Sequence, residues 1–296
     1  MTEHEAARAA GQAAPDAAKV VPEAPSEQGS RNLVMRVVAA LVLAPVAILL
    51  AYVGGTAWIL LVTLAAIGLF VEWQMVTDVG RAPHVVGPGV AALVLAGLCL
   101  MAGRIDAALV VLAIGAVAVA LLSGERRNWA TAGLLYAAAA EVASVLVRLD
   151  AANGFGALMF VLLVVWVTDI GGYFAGRSIG GPKLWVRVSP KKTWAGAIGG
   201  FVASLVVALG FAAFQIGATL PLLVLGAVLS VVSQTGDLFE SAVKRRFGVK
   251  DSSRIIPGHG GVLDRLDGFV AAVIVAAIFG FVRGGADGVG RGLMVW

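Results

Sequence analysis

From residue 33 onward the chain is a succession of apolar runs of about twenty residues, separated mostly by short polar links. At helical rise, about twenty residues cover the roughly 30 Å hydrocarbon core of a bilayer. Such runs fall at 33–53, 56–76, 84–103, 105–123, 129–149, 156–176, 195–215, 218–240 and 266–283. The pattern predicts an all-α, polytopic integral membrane protein with about nine transmembrane helices. Two links are longer and polar, 177–194 and 241–265. The first thirty residues show no apolar periodicity and are rich in Ala, Glu, Pro, Ser and Gln. Residues 1–30 are therefore expected to form a disordered tail. They carry no apolar stretch close enough to the first Met to act as a signal peptide.

Composition agrees with this reading. Of the 296 residues, 59% are hydrophobic and 14% charged, where a soluble domain carries about 25% charged. That much apolar side chain exceeds what one water-soluble core can hold. The single cysteine, Cys99, can form no disulfide within the chain. Charge placement says more than the net charge of +4. With nine spans, eighteen of the 22 Lys and Arg fall on the side of the N-terminus, leaving Arg104, Arg148, Arg283 and Arg291 on the other. The positive-inside rule then puts the N-terminus in the cytoplasm and the C-terminus outside, in a multi-pass protein of the cell (inner) membrane.

Ionisable residues inside spans are costly and point to function. Glu72 closes the second span and is expected to be a structural carboxylate at the membrane edge; Glu141 lies within the fifth. Asp169 and Asp237 sit at the cytoplasmic ends of the sixth and eighth spans, facing the two long basic links. Asp237, Ser241 and Lys244 are spaced i, i+4, i+7, and Asp264 and Asp267 i, i+3, so each set is expected on one helix face. Between the two sets run Pro257, Gly258, His259, Gly260 and Gly261, a turn whose backbone can approach an anion closely. A hard divalent cation takes one or two carboxylates plus phosphate oxygens, and phosphates take Lys, Arg and backbone N–H groups. Asp237, Asp264 and Asp267 beside that many cations therefore suggest a metal-assisted polyphosphate site. The other long link carries Ser189, Pro190, Lys191, Lys192, Thr193 and Trp194, with Thr193 expected as a helix N-cap and the two lysines beside it able to hold phosphate.

The stretch 241–267 resembles the signature of the phosphatidate cytidylyltransferase (CDP-diacylglycerol synthase) family. Its specified positions are filled by Ser241, Val243, Lys244, Arg245, Lys250, Asp251, Ser253, Ile256, Pro257, His259, Gly260, Gly261, Val262, Asp264, Arg265 and Asp267. The run 189–193 and the segment 169–177 are also similar to the family's. Two positions depart from it. Ala195 stands where members often carry Glu, and Gly172 where Ala is common.

The resemblance implies a fold of about nine membrane helices and the reaction of CTP with phosphatidic acid to give CDP-diacylglycerol and pyrophosphate. It further implies Mg2+ dependence, a second, monovalent cation such as K+, and a homodimer. No nucleic-acid partner is expected. The organisation expected is the tail 1–30, N-terminal transmembrane helices over 31–153 and a C-terminal transmembrane catalytic region over 154–296. The phosphate of phosphatidate is already anionic near neutral pH, so catalysis is expected to be positioning and electrostatics. Asp237, Asp264 and Asp267 are assigned to the metal. Lys244, Arg245 and Asp264 are the expected catalytic residues. Ser189, Lys191, Lys192, Thr193, Ser241, Lys250, His259, Gly260, Gly261 and Arg265 are expected to bind substrate. Two other classes are alternatives. A CDP-alcohol phosphotransferase would need a longer aspartate motif that this chain lacks. A secondary transporter would place its charges near the bilayer midplane, often in paired repeats.

Overall fold

The computed structural model describes residues 42–78, 83–253 and 260–296. Its helices are α1 (Val42–Val53), α2 (Gly55–Val76), α3 (Pro83–Met101), α4 (Ile105–Leu122), α5 (Arg127–Leu149), α6 (Gly154–Ser178), α7 (Trp194–Ala213), α8 (Thr219–Arg246), α9 (Leu263–Gly284) and the short α10 (Val289–Met294). Among the described residues, eight helices, α2 to α9, are long and apolar enough to cross a membrane. The protein is thus an all-α, polytopic membrane protein. The first expected span, 33–53, appears as α1, and its residues before 42 lie outside the described set.

Polar hydrogen bonds stitch α2 to α5 inside the bundle. The Trp58 indole donates to the Ser144 carbonyl at 3.1 Å, the Trp73 indole to the Trp129 carbonyl at 2.9 Å, and the Gln74 amide to the Ala130 carbonyl at 2.9 Å. Trp73 is buried against Gly133, where an added Cβ would overlap the indole. Two arginines cap helix ends, where carbonyls lack partners and the dipole favours cations. Arg148 donates to the Ala51 carbonyl of α1 at 2.6 Å. Arg126 donates to the Thr77 carbonyl after α2 at 2.6 Å.

The pair α6 and α7 packs through small residues. Gly172 and Gly176 of α6 face Gly196 of α7, and Gly200 of α7 lies against the Thr168 carbonyl of α6; a Cβ on Gly196 would come within 2.8 Å of the Gly172 carbonyl. Two glycines four apart on each helix let the backbones touch, the usual device where lipid removes any hydrophobic drive to associate.

The long polar links carry regular structure of their own. Gly180 and Gly181, with φ of +68° and +92°, end α6 in a conformation that side chains disfavour. An antiparallel hairpin follows, β1 (Lys183–Trp185) with β2 (Ser189–Thr193), pairing Lys183 with Thr193 and Trp185 with Ser189. The eighth span, expected to end near 240, continues as α8 to Arg246, where Gly248 at φ +71° turns the chain. Apolarity stops at 240 but helix-forming residues do not, so the helix carries the charged motif beyond the membrane edge.

Candidate active site

The C-terminal ends of α2, α6 and α8 and the N-terminal ends of α7 and α9 meet on one face of the bundle. The chain's helical alternation makes this so, and hydrogen bonds from α2 to the start of α9 verify it. Arg246 of α8 lies over the Trp129 ring of α5 at 5.3 Å, which ties α5 to the same face.

The centre of this face is Lys244, only 8% exposed. Its ammonium sits 2.6 Å from Asp264 Oδ1 and 2.7 Å from Glu240 Oε2. A buried charge persists only when paired and hydrogen-bonded, and here one cation serves two carboxylates. Asp264 needs more than Lys244, and it finds it in backbone donors. Its Oδ2 accepts the N–H groups of Gly261 at 3.0 Å and Ser252 at 3.1 Å. The expected i, i+3 pair therefore divides: Asp264 turns into this closed network.

Asp267 turns elsewhere. It accepts the Gly268 N–H at 2.7 Å and lies in the field of Asp237, Glu240 and Asp169. Asp237 is ion-paired with Lys192 and accepts from the Ser241 hydroxyl at 3.4 Å. Asp169 feels Asp237, Lys192 and Arg265. Three helices thus bring Asp169, Asp237 and Asp267 into one region with Lys192 and Arg265. Among the described residues, no three His, Cys, Asp or Glu side chains come close enough to hold a metal ion on their own. The set fits a cation that takes one or two protein carboxylates and completes its shell with substrate phosphate oxygens.

The other expected residues fall around these two groups. Thr193 is the N-cap of α7, its hydroxyl oxygen accepting the Gly196 N–H at 3.1 Å. Ser189 opens β2, and Lys191 on the same strand is exposed. Arg245 is exposed and donates to the Val249 carbonyl at 3.0 Å, and Lys250 is exposed beside it. Gly260 has φ +84°. At Gly261 a Cβ would overlap Ser252 Oγ and Glu72 Oε2, so only glycine lets these groups meet. His259 lies outside the described residues.

Three contributors were given no role in the site by the sequence, although Ser253 fills a position of the signature. Glu240 stands four residues before Lys244, a helical ion-pair spacing that could have revealed it. Ser252 and Ser253 bond to Glu72 across 180 residues of chain, and no local signal announces that.

The model of the cytidylyltransferase family matches residues 34–282. The phosphatidate cytidylyltransferase of Brucella suis is 41% identical over 262 residues, which is 85% of this chain and 94% of that protein. Those of Staphylococcus saprophyticus and Haemophilus influenzae are 50% identical over 121 residues and 44% over 138. These two alignments cover 40% and 45% of this chain, and 46% and 48% of the respective relatives.

Proposed function

The chain belongs to the cytidylyltransferase family, and we propose that it is a phosphatidate cytidylyltransferase, joining CTP to phosphatidic acid with release of pyrophosphate. A phosphate oxygen of phosphatidate attacks the α-phosphorus of CTP. The bond from that phosphorus to the bridging oxygen of the β-phosphate breaks, and pyrophosphate leaves with the electron pair. No strong base is required, because the nucleophile is already an anion. The difficulty is bringing two anions together, so the protein's task is to neutralise and align.

The observation that carries this reading is the meeting of Asp169, Asp237 and Asp267 with Lys192 and Arg265 at one end of the bundle. Lys192 and Arg265, with the exposed Lys191, Arg245 and Lys250, supply cations for the triphosphate and the lipid phosphate. Asp237 and Asp267 are the carboxylates best placed for Mg2+, which when bound would neutralise phosphate charge. Asp264, held by Lys244, Gly261 and Ser252, organises the loop instead. The lipid's acyl chains stay in the bilayer, so phosphatidate enters sideways while CTP arrives from water. Purified protein given radiolabelled CTP should form labelled CDP-diacylglycerol only when phosphatidate and Mg2+ are both present. Label appearing in lipid without phosphatidate, or none with it, would refute the assignment.

Mg2+ dependence, a monovalent cation and a homodimer belong to the same proposal and rest on the family resemblance. The orientation rests on charge placement: the active face is cytoplasmic, the N-terminus lies inside and the C-terminus outside. In a Cys99→Ala background, Asp287→Cys should react with an impermeant maleimide in intact cells. Ser178→Cys, on the active face, should react only after the membrane is opened. The reverse pattern would overturn the topology.

A further inference from the structure

Glu72 closes α2 in the N-terminal half of the chain and is 0% exposed. Each of its carboxylate oxygens receives one side-chain and one backbone donor. Oε1 accepts from the Ser253 hydroxyl at 2.7 Å and the Val262 N–H at 2.8 Å. Oε2 accepts from the Ser252 hydroxyl at 2.7 Å and the Leu263 N–H at 2.8 Å. The Ser252 hydroxyl also lies 3.1 Å from Asp264. It has one proton, and the shorter contact is to Glu72. Val262 has no polar side chain to cap α9, so Glu72 supplies the anion that the helix start favours.

We propose that Glu72 is a positioning residue for cytidylyl transfer, a clamp from the N-terminal half that joins 252–253 to 262–263 and so aims the first turn of α9. That turn carries Asp264 and Arg265, and Asp267 follows directly on it. The clamp rests on the functional reading above, but its chemistry can be read without turnover. Four donors and no acceptor face this carboxylate, so only an acid of this length satisfies them all. In Glu72→Gln, either orientation of the amide turns its NH2 group toward the backbone N–H of Val262 or of Leu263. A serine hydroxyl can rotate away from such a clash, and a backbone N–H cannot. Glu72→Asp keeps the charge and withdraws it by one methylene.

Wild type, Glu72→Gln and Glu72→Asp are compared in detergent by steady-state kinetics and by hydrogen exchange with mass spectrometry. Glu72→Gln should lower kcat on the order of 100-fold, as expected for a displacement of about 1 Å at the reacting groups. KM for CTP should stay within about threefold, since Lys191, Lys192, Arg245 and Lys250 remain in place. Exchange in the peptide covering 260–268 should quicken at least about tenfold, with peptides of α3 and α4 unchanged. Glu72→Asp should fall between wild type and Glu72→Gln. If Glu72→Gln does not accumulate as folded protein, the double variant Ser252→Ala/Ser253→Ala decides on the same two readouts. A kcat above half that of wild type, or unchanged exchange over 260–268, would overturn the clamp. Wild type that makes no CDP-diacylglycerol while exchange responds as stated would instead refute the assigned reaction and leave the clamp standing.

Discussion

Lys244→Met will still insert in the membrane, but it will melt several degrees lower and lose essentially all turnover. The substitution removes the one cation between Glu240 and Asp264, both nearly buried, and leaves two carboxylates facing each other. Breaking a buried ion pair from one side costs about 3–5 kcal/mol, mostly the penalty of the charge left behind. The sign follows from which partner is lost: adding Glu240→Gln to Lys244→Met removes one stranded charge and should recover part of the melting temperature. Lys244→Arg tests shape at constant charge. At 8% exposure the pocket is closed around an ammonium that reaches two oxygens at 2.6 and 2.7 Å. A longer, planar guanidinium cannot take that position without displacing α9. A loss of kcat on the order of 100-fold is expected, from a misplacement of about 1 Å. Thermal melts and kinetics on purified variants measure both effects. Lys244→Arg with more than half of wild-type activity would remove Lys244 from any role beyond retaining the loop in the cytoplasm.

Asp267→Asn and Asp237→Asn should each cost 100- to 1,000-fold in kcat, roughly what removal of one preorganised electrostatic partner costs in other enzymes. They should also raise the Mg2+ concentration needed for half-maximal rate, because they remove oxygen charge where the cation is proposed to bind. Asp264→Asn is the informative companion. It too should be slow, because it loosens Lys244, Gly261 and Ser252 together. Its Mg2+ midpoint, however, should stay at the wild-type value. A Mg2+ titration of the three variants therefore separates ligands from loop organisers. A midpoint shifted equally in all three would return Asp264 to the metal. Full activity of any of them in EDTA would remove the metal from the mechanism.

Part of this protein was settled by its sequence alone. The spans were legible because crossing a bilayer is a local demand, met within twenty successive residues, and α2 to α9 lie where the apolar runs do. The cap at Thr193 was legible because it reaches only three residues along the chain. The motif 241–267 named the chemistry and holds Asp264, Arg265 and Asp267, while Asp169, Lys192 and Glu240 reach the same face from outside it. What the spacing could not decide was which way each group faces. Asp264 and Asp267 are three apart, about 60° around a helix, and that difference sends one to Lys244 and the other toward Asp169 and Asp237. Lys192 of β2 meets Asp237 of α8, a contact between distant segments that the local spacing of neither residue announces. Glu72 shows the limit best. Read locally it is an acid at a membrane edge, and its four donors arrive from 252–263 only when the two halves of the bundle pack. Periodicity and caps are properties of neighbouring residues. The clamp and the division of the carboxylates depend on contacts between distant segments, which the packed bundle creates.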